Sequence, residues 1–250
     1  MLADEILWPE PPPGHAPGRS DIDLWAISLE RSDSVLRELA ATLSPTELER
    51  AARFHFERDR NRFVAGRAIL RTTLSRCLET KPQALEFVYG PQGKPSLAGS
   101  FASRGLNFNL AHSEDLALLA VTRVGSVGVD IERIRPIPDV EQLVARFFSE
   151  RESAAFQKLP NDQKPAAFFN LWTRKEAWLK ATGEGIGHLL NRVEVSFLPG
   201  EPARLLAFPR ESDAATPWTL HALAPAPGFA GALAVSTAQA RLNCWRWRAE

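Results

Sequence analysis

No apolar run in this 250-residue chain approaches the roughly 20 residues that cross a bilayer, so no membrane-spanning helix is expected. Its start, with Asp4 and Glu5 ahead of Trp8-Pro-Glu-Pro-Pro-Pro13, lacks the basic and apolar regions of a secretory leader, which predicts a cytoplasmic protein. Cysteine is nearly absent. Cys77 and Cys244 stand alone without metal-ligand spacing, which argues against a disulfide framework and a thiolate metal site. Net charge is absent too: thirty basic residues balance thirty acidic ones, which disfavours nucleic acid or a membrane surface as partner. Lysine is scarce, with Lys81, Lys94, Lys158, Lys164, Lys175 and Lys180 the only six against twenty-four arginines. A compact point charge is not interchangeable with a planar fork, so each lysine is informative. The P-loop, a strand-borne GxGxxG, GxSxG and HExxH are all missing. Gly183-Glu-Gly-Ile-Gly187 follows a helix and reads as a turn, and His15, His55, His112, His188 and His221 are too scattered for a metal cluster. What remains is a 27.7 kDa chain that is 44% apolar, large enough to bury about 70–75% of its unfolded surface.

Residues 9–19, rich in Pro and Gly, read as an extended arm or disordered tail outside the core. Ile22 to Leu29 alternates as a strand with Trp25, Ile27 and Leu29 on one face. Ser44-Pro-Thr-Glu47 is a capping box with Pro at the first helical position, and a second helix runs from about Asp59 to Leu78. Strands are expected at Ala84 to Tyr89, Leu106 to Ala111, Leu116 to Thr122 and Ser126 to Ile131. Helices are expected at Asp139 to Phe148, Glu150 to Leu159 (Ser149 to Glu152 is another capping box) and Asp162 to Ala181, ending at Gly183. From Val193 onward the pattern is strands between turns. Strand, helices and strands occur about twice, with a break near Arg123 to Gly125. The expectation is an α+β (α/β) chain of two similar lobes, 21–124 and 125–250, after a Pro-rich arm over 1–20.

Val127-Gly-Val-Asp-Ile-Glu132 alternates strictly, so Asp130 and Glu132 project from one strand face with Cα atoms about 6.6 Å apart. Such a pair suits Mg²⁺ held against phosphate oxygens, or is a solvated strand face. In Trp172-Thr-Arg-Lys-Glu-Ala-Trp-Leu-Lys180, Phe168, Leu171, Trp172, Trp178 and Leu179 form the apolar stripe. Glu176 and Lys180, four apart, are a surface ion pair or the completion of a site for a metal-bound diphosphate. Phe108-Asn-Leu-Ala-His-Ser113 ends a strand with His112 and Ser113, either structural or poised for a phosphate oxygen. Gly93-Lys94-Pro95 is a turn with a cation at its tip. Between Glu47 and Arg76, eight arginines (Arg50, Arg53, Arg62 and Arg67 among them) face four acids. That run is a solvated face or an anion site.

Taken in order, Gly93-Lys-Pro95, Phe108 to Ser113, Val127 to Glu132 and Trp172 to Lys180 closely resemble the 4'-phosphopantetheinyl transferases of the surfactin-synthetase-activating type. The resemblance covers about residues 22 to 200. It implies two pseudo-symmetric lobes with coenzyme A and Mg²⁺ in the cleft between them, and a monomer. The implied reaction moves the phosphopantetheine arm of coenzyme A to a serine of an apo acyl or peptidyl carrier protein, releasing adenosine 3',5'-bisphosphate. By resemblance Asp130, Glu132 and Glu176 hold Mg²⁺, and Lys180 and His112 contact coenzyme A phosphates. Lys94 and Ser113 seat the nucleotide, and Arg50, Arg53, Arg62 and Arg67 are candidates for its 3'-phosphate. Two positions compete as general base, Glu176 and Glu152. Glu176 is favoured, because the capping box already explains Glu152. The competing readings are a non-catalytic relative that binds coenzyme A or a carrier protein, and a Mg²⁺-dependent hydrolase of nucleotide diphosphates.

Overall fold

The computed structural model describes residues 8–12, 14–185 and 189–248; Asp4, Glu5, Pro13, Gly187 and His188 lie outside them. The chain forms an α+β structure of two compact units, 8–123 with 241–248, and 124–240. In chain order the first holds β1 (Asp21–Ser28), α1 (Asp33–Ala40), α2 (Pro45–Ala52), α3 (Glu57–Leu78), β2 (Phe87–Tyr89), β3 (Pro95–Leu97), β4 (Asn107–Ser113) and β5 (Leu116–Thr122). The second holds β6 (Val127–Arg133), α4 (Val140–Phe147), α5 (Glu150–Gln157), α6 (Lys164–Thr182), β7 (Glu194–Val195), β8 (Leu205–Ala207), α7 (Glu211–Ala214), β9 (Thr219–Leu223) and β10 (Phe229–Val235); β11 (Arg241–Arg246) follows.

In the first unit the sheet runs β11-β1-β5-β4. Alternation sends Trp25, Ile27 and Leu29, with Ala117, Leu119 and Val121, to the face where Val64, Ala65, Ala68, Ile69, Leu70 and Leu74 of α3 complete the core. Two sequence expectations are corrected here. The last strand, assigned to the C-terminal lobe, pairs in parallel with β1, Asp21 opposite Arg241 through Ala26 opposite Arg246. The described part of the Pro-rich arm is docked, not free. Proline donates no hydrogen bond but its carbonyl still accepts one, so Arg246 N–H donates to Pro9 O at 2.8 Å. His15 Nε2 lies 2.6 Å from the buried Asp23 Oδ2, and the His15 ring meets Trp245 edge-on at 4.7 Å.

In the second unit the sheet runs β6-β10-β9. Antiparallel pairing sets Gly128 opposite Ala234, Asp130 opposite Ala232 and Glu132 opposite Ala230, and paired residues share a sheet face. These small residues make a floor on which α6 lies unusually close. A Cβ at Gly128 would stand 2.1 Å from Ala177 O and 2.3 Å from Ala181 N. The face carrying Asp130 is therefore covered by a helix, which removes the solvated-face reading. Helix α6 is buried on nearly every side, Arg174, Lys175 and Glu176 included, and ends at Gly183 in the left-handed conformation (φ 80°). Trp172, expected in the buried stripe, is only half-buried.

Among the described residues no helix is long and apolar enough to cross a membrane.

Candidate active site

Register on β6 and helical spacing on α6 bring Asp130, Glu176 and Lys180 together. Lys180 Nζ donates to Asp130 Oδ1 at 2.6 Å, which ties α6 to β6. Asp130 is 5% exposed and Glu176 4%. Asp130 Oδ2 and Glu176 Oε1 are buried with no hydrogen-bond partner among the described residues. Burial, aided by the charge of Glu132 and opposed by Lys180, pushes the Asp130 carboxyl up to about 6. Burial and the charges of Asp130 and Glu132 push Glu176 up to about 7 against the pull of Lys180. Two buried carboxyls held above their ordinary range thus stand beside one ammonium.

An all-oxygen donor set with two unsatisfied buried oxygens fits a hard divalent cation. Among the described residues no three His, Cys, Asp or Glu side chains already stand in metal-binding array. The fit is thus one of donor chemistry, with Asp130 Oδ1 engaged by Lys180.

Glu152 is placed differently. Its Oε2 accepts from Ser149 N–H at 3.0 Å and from Lys175 Nζ at 2.5 Å, and its Oε1 accepts from Val195 N–H at 3.0 Å. Lys175 also donates to Leu190 O at 2.6 Å. Both oxygens of Glu152 are committed to joining α5, α6 and the start of β7. Removing one partner of such a buried pair costs about 3–5 kcal/mol. Glu152→Gln is therefore expected to unfold in markedly less urea while the pH–rate profile of its folded fraction matches wild type; loss of the acidic limb of that profile would make Glu152 a proton acceptor after all.

The first unit carries a cavity of about 440 Å³ that gathers Arg50, Arg62, Arg67 and His112 with Phe54, Phe63, Tyr89, Gly93 and Pro95. Arg62 Nε is buried without a partner. Arg67 is tied down: it pairs with Glu47, donates to Tyr89 Oη at 2.8 Å and lies 4.2 Å from the Phe87 ring centre. Arg71 Nε shares the same carboxylate at 2.5 Å. Burial works against the Glu47 anion, but hydrogen bonds from Arg71, Ser44 and Arg67 outweigh it and hold the carboxyl below its ordinary value. The eight-arginine run is therefore no uniform solvated face. Arg53 is not among the residues lining that cavity; it lines an adjoining pocket with Thr46 and Glu49, the two sharing Arg50 and Phe54. Lys94 is half-buried at the turn whose Gly93 and Pro95 line the cavity, and burial lowers its ammonium to about 8. His112 is exposed at the cavity, whereas Ser113, its neighbour on β4, is buried. Adjacent strand residues point to opposite faces, so the two do not present one joint cluster. Sequence reading missed the aromatic walls Phe54, Phe63 and Tyr89; the available signal was the position of Tyr89, the only tyrosine, beside the Gly90 to Pro95 turn.

The second unit thus gathers Asp130, Glu176 and Lys180, and the cavity of the first is lined by Arg50, Arg62, Arg67 and His112 together with the acids Asp59 and Glu114. Residues 126–235 match the model of the 4'-phosphopantetheinyl transferase superfamily, and residues 28–124 match that of the 4'-phosphopantetheinyl transferase N-terminal region. The chain is 44% identical over 229 residues to the 4'-phosphopantetheinyl transferase HetI of Nostoc sp., covering 92% of this chain and 93% of that one. It is 32% identical over 168 residues to the L-aminoadipate-semialdehyde dehydrogenase-phosphopantetheinyl transferase of Xenopus laevis (64% of this chain, 56% of that one). Against the 4'-phosphopantetheinyl transferase AcpT of Escherichia coli K12 the figure is 41% over 124 residues (50% and 58%). The chain belongs to the 4'-phosphopantetheinyl transferases, enzymes that transfer phosphopantetheine from coenzyme A to carrier proteins.

Proposed function

We propose that Asp130, Glu132 and Glu176 hold Mg²⁺ against the diphosphate of coenzyme A, and that the enzyme loads a serine of an apo acyl or peptidyl carrier protein. The observation that carries this reading is the pair of buried, unpartnered oxygens, Asp130 Oδ2 and Glu176 Oε1. Unpaired buried carboxylates are costly and persist where a ligand completes them. The cation, when bound, supplies charge neutralisation at the diphosphate.

Glu176 is the general base of this reading. Glu152, the other candidate, has both oxygens committed within the fold, which leaves Glu176 to take the proton. The carrier serine oxygen bonds to the β-phosphorus as its proton passes to the Glu176 carboxylate. The bond from that phosphorus to the bridging oxygen breaks, and its electron pair leaves with adenosine 3',5'-bisphosphate. Lys180 neutralises a non-bridging oxygen throughout. Arg50, Arg62 and His112 of the cavity take the nucleotide's phosphates, with Lys94 at its turn. Arg67, already paired, orients the Tyr89 wall, and Arg53 and Ser113 are left with supporting parts. A cytoplasmic monomer that engages neither nucleic acid nor membrane completes the proposal, in keeping with balanced charge.

Incubation with coenzyme A, Mg²⁺ and an apo carrier protein, followed by mass spectrometry of the carrier, tests this. A gain equal to the phosphopantetheine arm that disappears on chelation is expected. Coenzyme A breakdown without carrier would instead indicate a hydrolase, and binding without mass gain a scaffold.

A further inference from the structure

Glu30 and Arg31 follow β1, and the first two turns of α3 carry Arg58, Asn61 and Arg62; with Leu29 these residues line a second cavity of the first unit, of about 450 Å³. Arg31 and Arg62 are half-buried. Arg31 Nε and Nη2 and Arg62 Nε are buried with no hydrogen-bond partner among the described residues, and burial lowers the Arg31 guanidinium from its ordinary value. Arg31 Cζ stands 5.2 Å from the centre of the Trp247 ring. That contact occupies the face of the guanidinium and leaves its N–H edge in need of an acceptor. The acids of the cavity do not supply one. Glu30, Asp33 and Glu57 line it but are all exposed, and Glu57 is paired with Arg60 at 3.0 Å. The remaining cation, Arg58, turns to Asp59 at 3.4 Å. Equal numbers of acids and bases therefore line the cavity, but the charge that is withdrawn from water and unpartnered is positive.

We propose that Arg31 and Arg62 form a second anion site of the first unit, which takes a free phosphate-sized oxyanion. A buried donor without an acceptor is costly, and the edge of a guanidinium is best satisfied by two oxygens of one anion. A phosphate dianion carries charge for both arginines, whereas water would meet the N–H groups and leave the charge uncompensated. Asn61, on the same wall, adds an amide donor. The site adjoins the nucleotide cavity without being part of it: Arg31 and Asn61 line only the one, Arg50 and His112 line the other, and Leu29 and Arg62 are common to both. The proposal stands on these side chains alone and does not depend on the reading of Asp130, Glu132 and Glu176.

The test is a calorimetric titration of the full chain with inorganic phosphate at constant ionic strength. Wild type is expected to bind phosphate, and Arg31→Met to bind it about tenfold or more weakly, as the loss of a charge-assisted contact requires. Arg50→Met alters the nucleotide cavity and not this one, and is expected to bind phosphate as wild type does. Asn61→Asp keeps both arginines and the contact of Arg31 with Trp247 but places a fixed negative charge in the cavity. It is expected to weaken phosphate too, and it reads the site even where Arg31→Met fails to fold. Coenzyme A affinity is expected to be unchanged in Arg31→Met, which marks the bound phosphate as a free ion; a matching loss for coenzyme A would mean that the nucleotide's own phosphate fills the seat and would overturn the separation of the two sites. Absence of phosphate binding by wild type at millimolar concentration, or its loss in Arg50→Met but not in Arg31→Met and Asn61→Asp, overturns the proposal.

Discussion

Glu176→Gln is expected to be more resistant to urea than wild type at pH 8, no more resistant at pH 5, and inactive in transfer at both. The folded-state carboxyl is raised from its ordinary 4.5 to about 7. Between those values the folded chain keeps a proton that the unfolded chain has released, so wild-type stability falls as pH rises and levels off above 7. The shift corresponds to roughly 3 kcal/mol. A neutral amide escapes this loss, and the gap between variant and wild type should open by about that amount from pH 5 to pH 8. Transfer should fall by at least about 10²-fold, the lower range for removing a general base. Paired urea titrations at the two pH values and the carrier mass assay read both effects. A gap that stays constant with pH would mean that Glu176 is solvated or paired in the folded chain, and the argument for an unmet cation would go with it. Stability gained and activity lost at one position is the mark of a group held against its own preference for the sake of a ligand.

Individual elements were legible where their signals are local. Two capping boxes, at Ser44 and Ser149, close as their spacing predicts, and the alternation of Val127 to Glu132 is a strand. The environment of those elements was not legible. A charged pair four apart on a helix reads as solvent-facing, yet Glu176 is buried and Lys180 reaches across to Asp130. Arg174 and Lys175 are buried beside it because partners arrive from far along the chain, Ser196 O for Arg174 and Glu152 for Lys175. No window of sequence contains both halves of such a contact. The same holds for β11, whose parallel pairing with β1 spans most of the chain, and for the docked arm, where composition argued for disorder and His15–Asp23 overrides it. Glu47 reads as a capping residue and is one; its second duty, neutralising Arg67 and Arg71, depends on partners about three and four turns into another helix. Helix α1 escaped notice because its apolar face is short, with only Leu36 and Leu39 buried.

Gly128→Ala is expected to be the most damaging single-methyl change in the second unit. The added carbon would lie 2.1 Å from Ala177 O, 2.3 Å from Ala181 N and 2.9 Å from Lys180 C. All three are backbone atoms of α6, so no side-chain rotation relieves the overlap and the helix must lift from the sheet by about 1 Å or more. Overpacking a well-packed interior commonly costs about 1–3 kcal/mol, and here, with backbone on both sides, about 3 kcal/mol or more is expected. Function should suffer along with stability. Asp130 is two residues along the same strand face, and Glu176 and Lys180 flank the atoms that collide, so the lift opens the gap between Asp130 and its α6 neighbours. A displacement of about 1 Å at reacting groups costs about 10²-fold in rate. Urea unfolding, Mn²⁺ binding in the presence of coenzyme A, and carrier loading should therefore all deteriorate together in Gly128→Ala. An alanine variant that retained the wild-type urea midpoint and Mn²⁺ affinity would mean that α6 does not rest on the strand at this distance. The close approach of helix to sheet at residue 128 would then no longer be what brings an acid from each into one site.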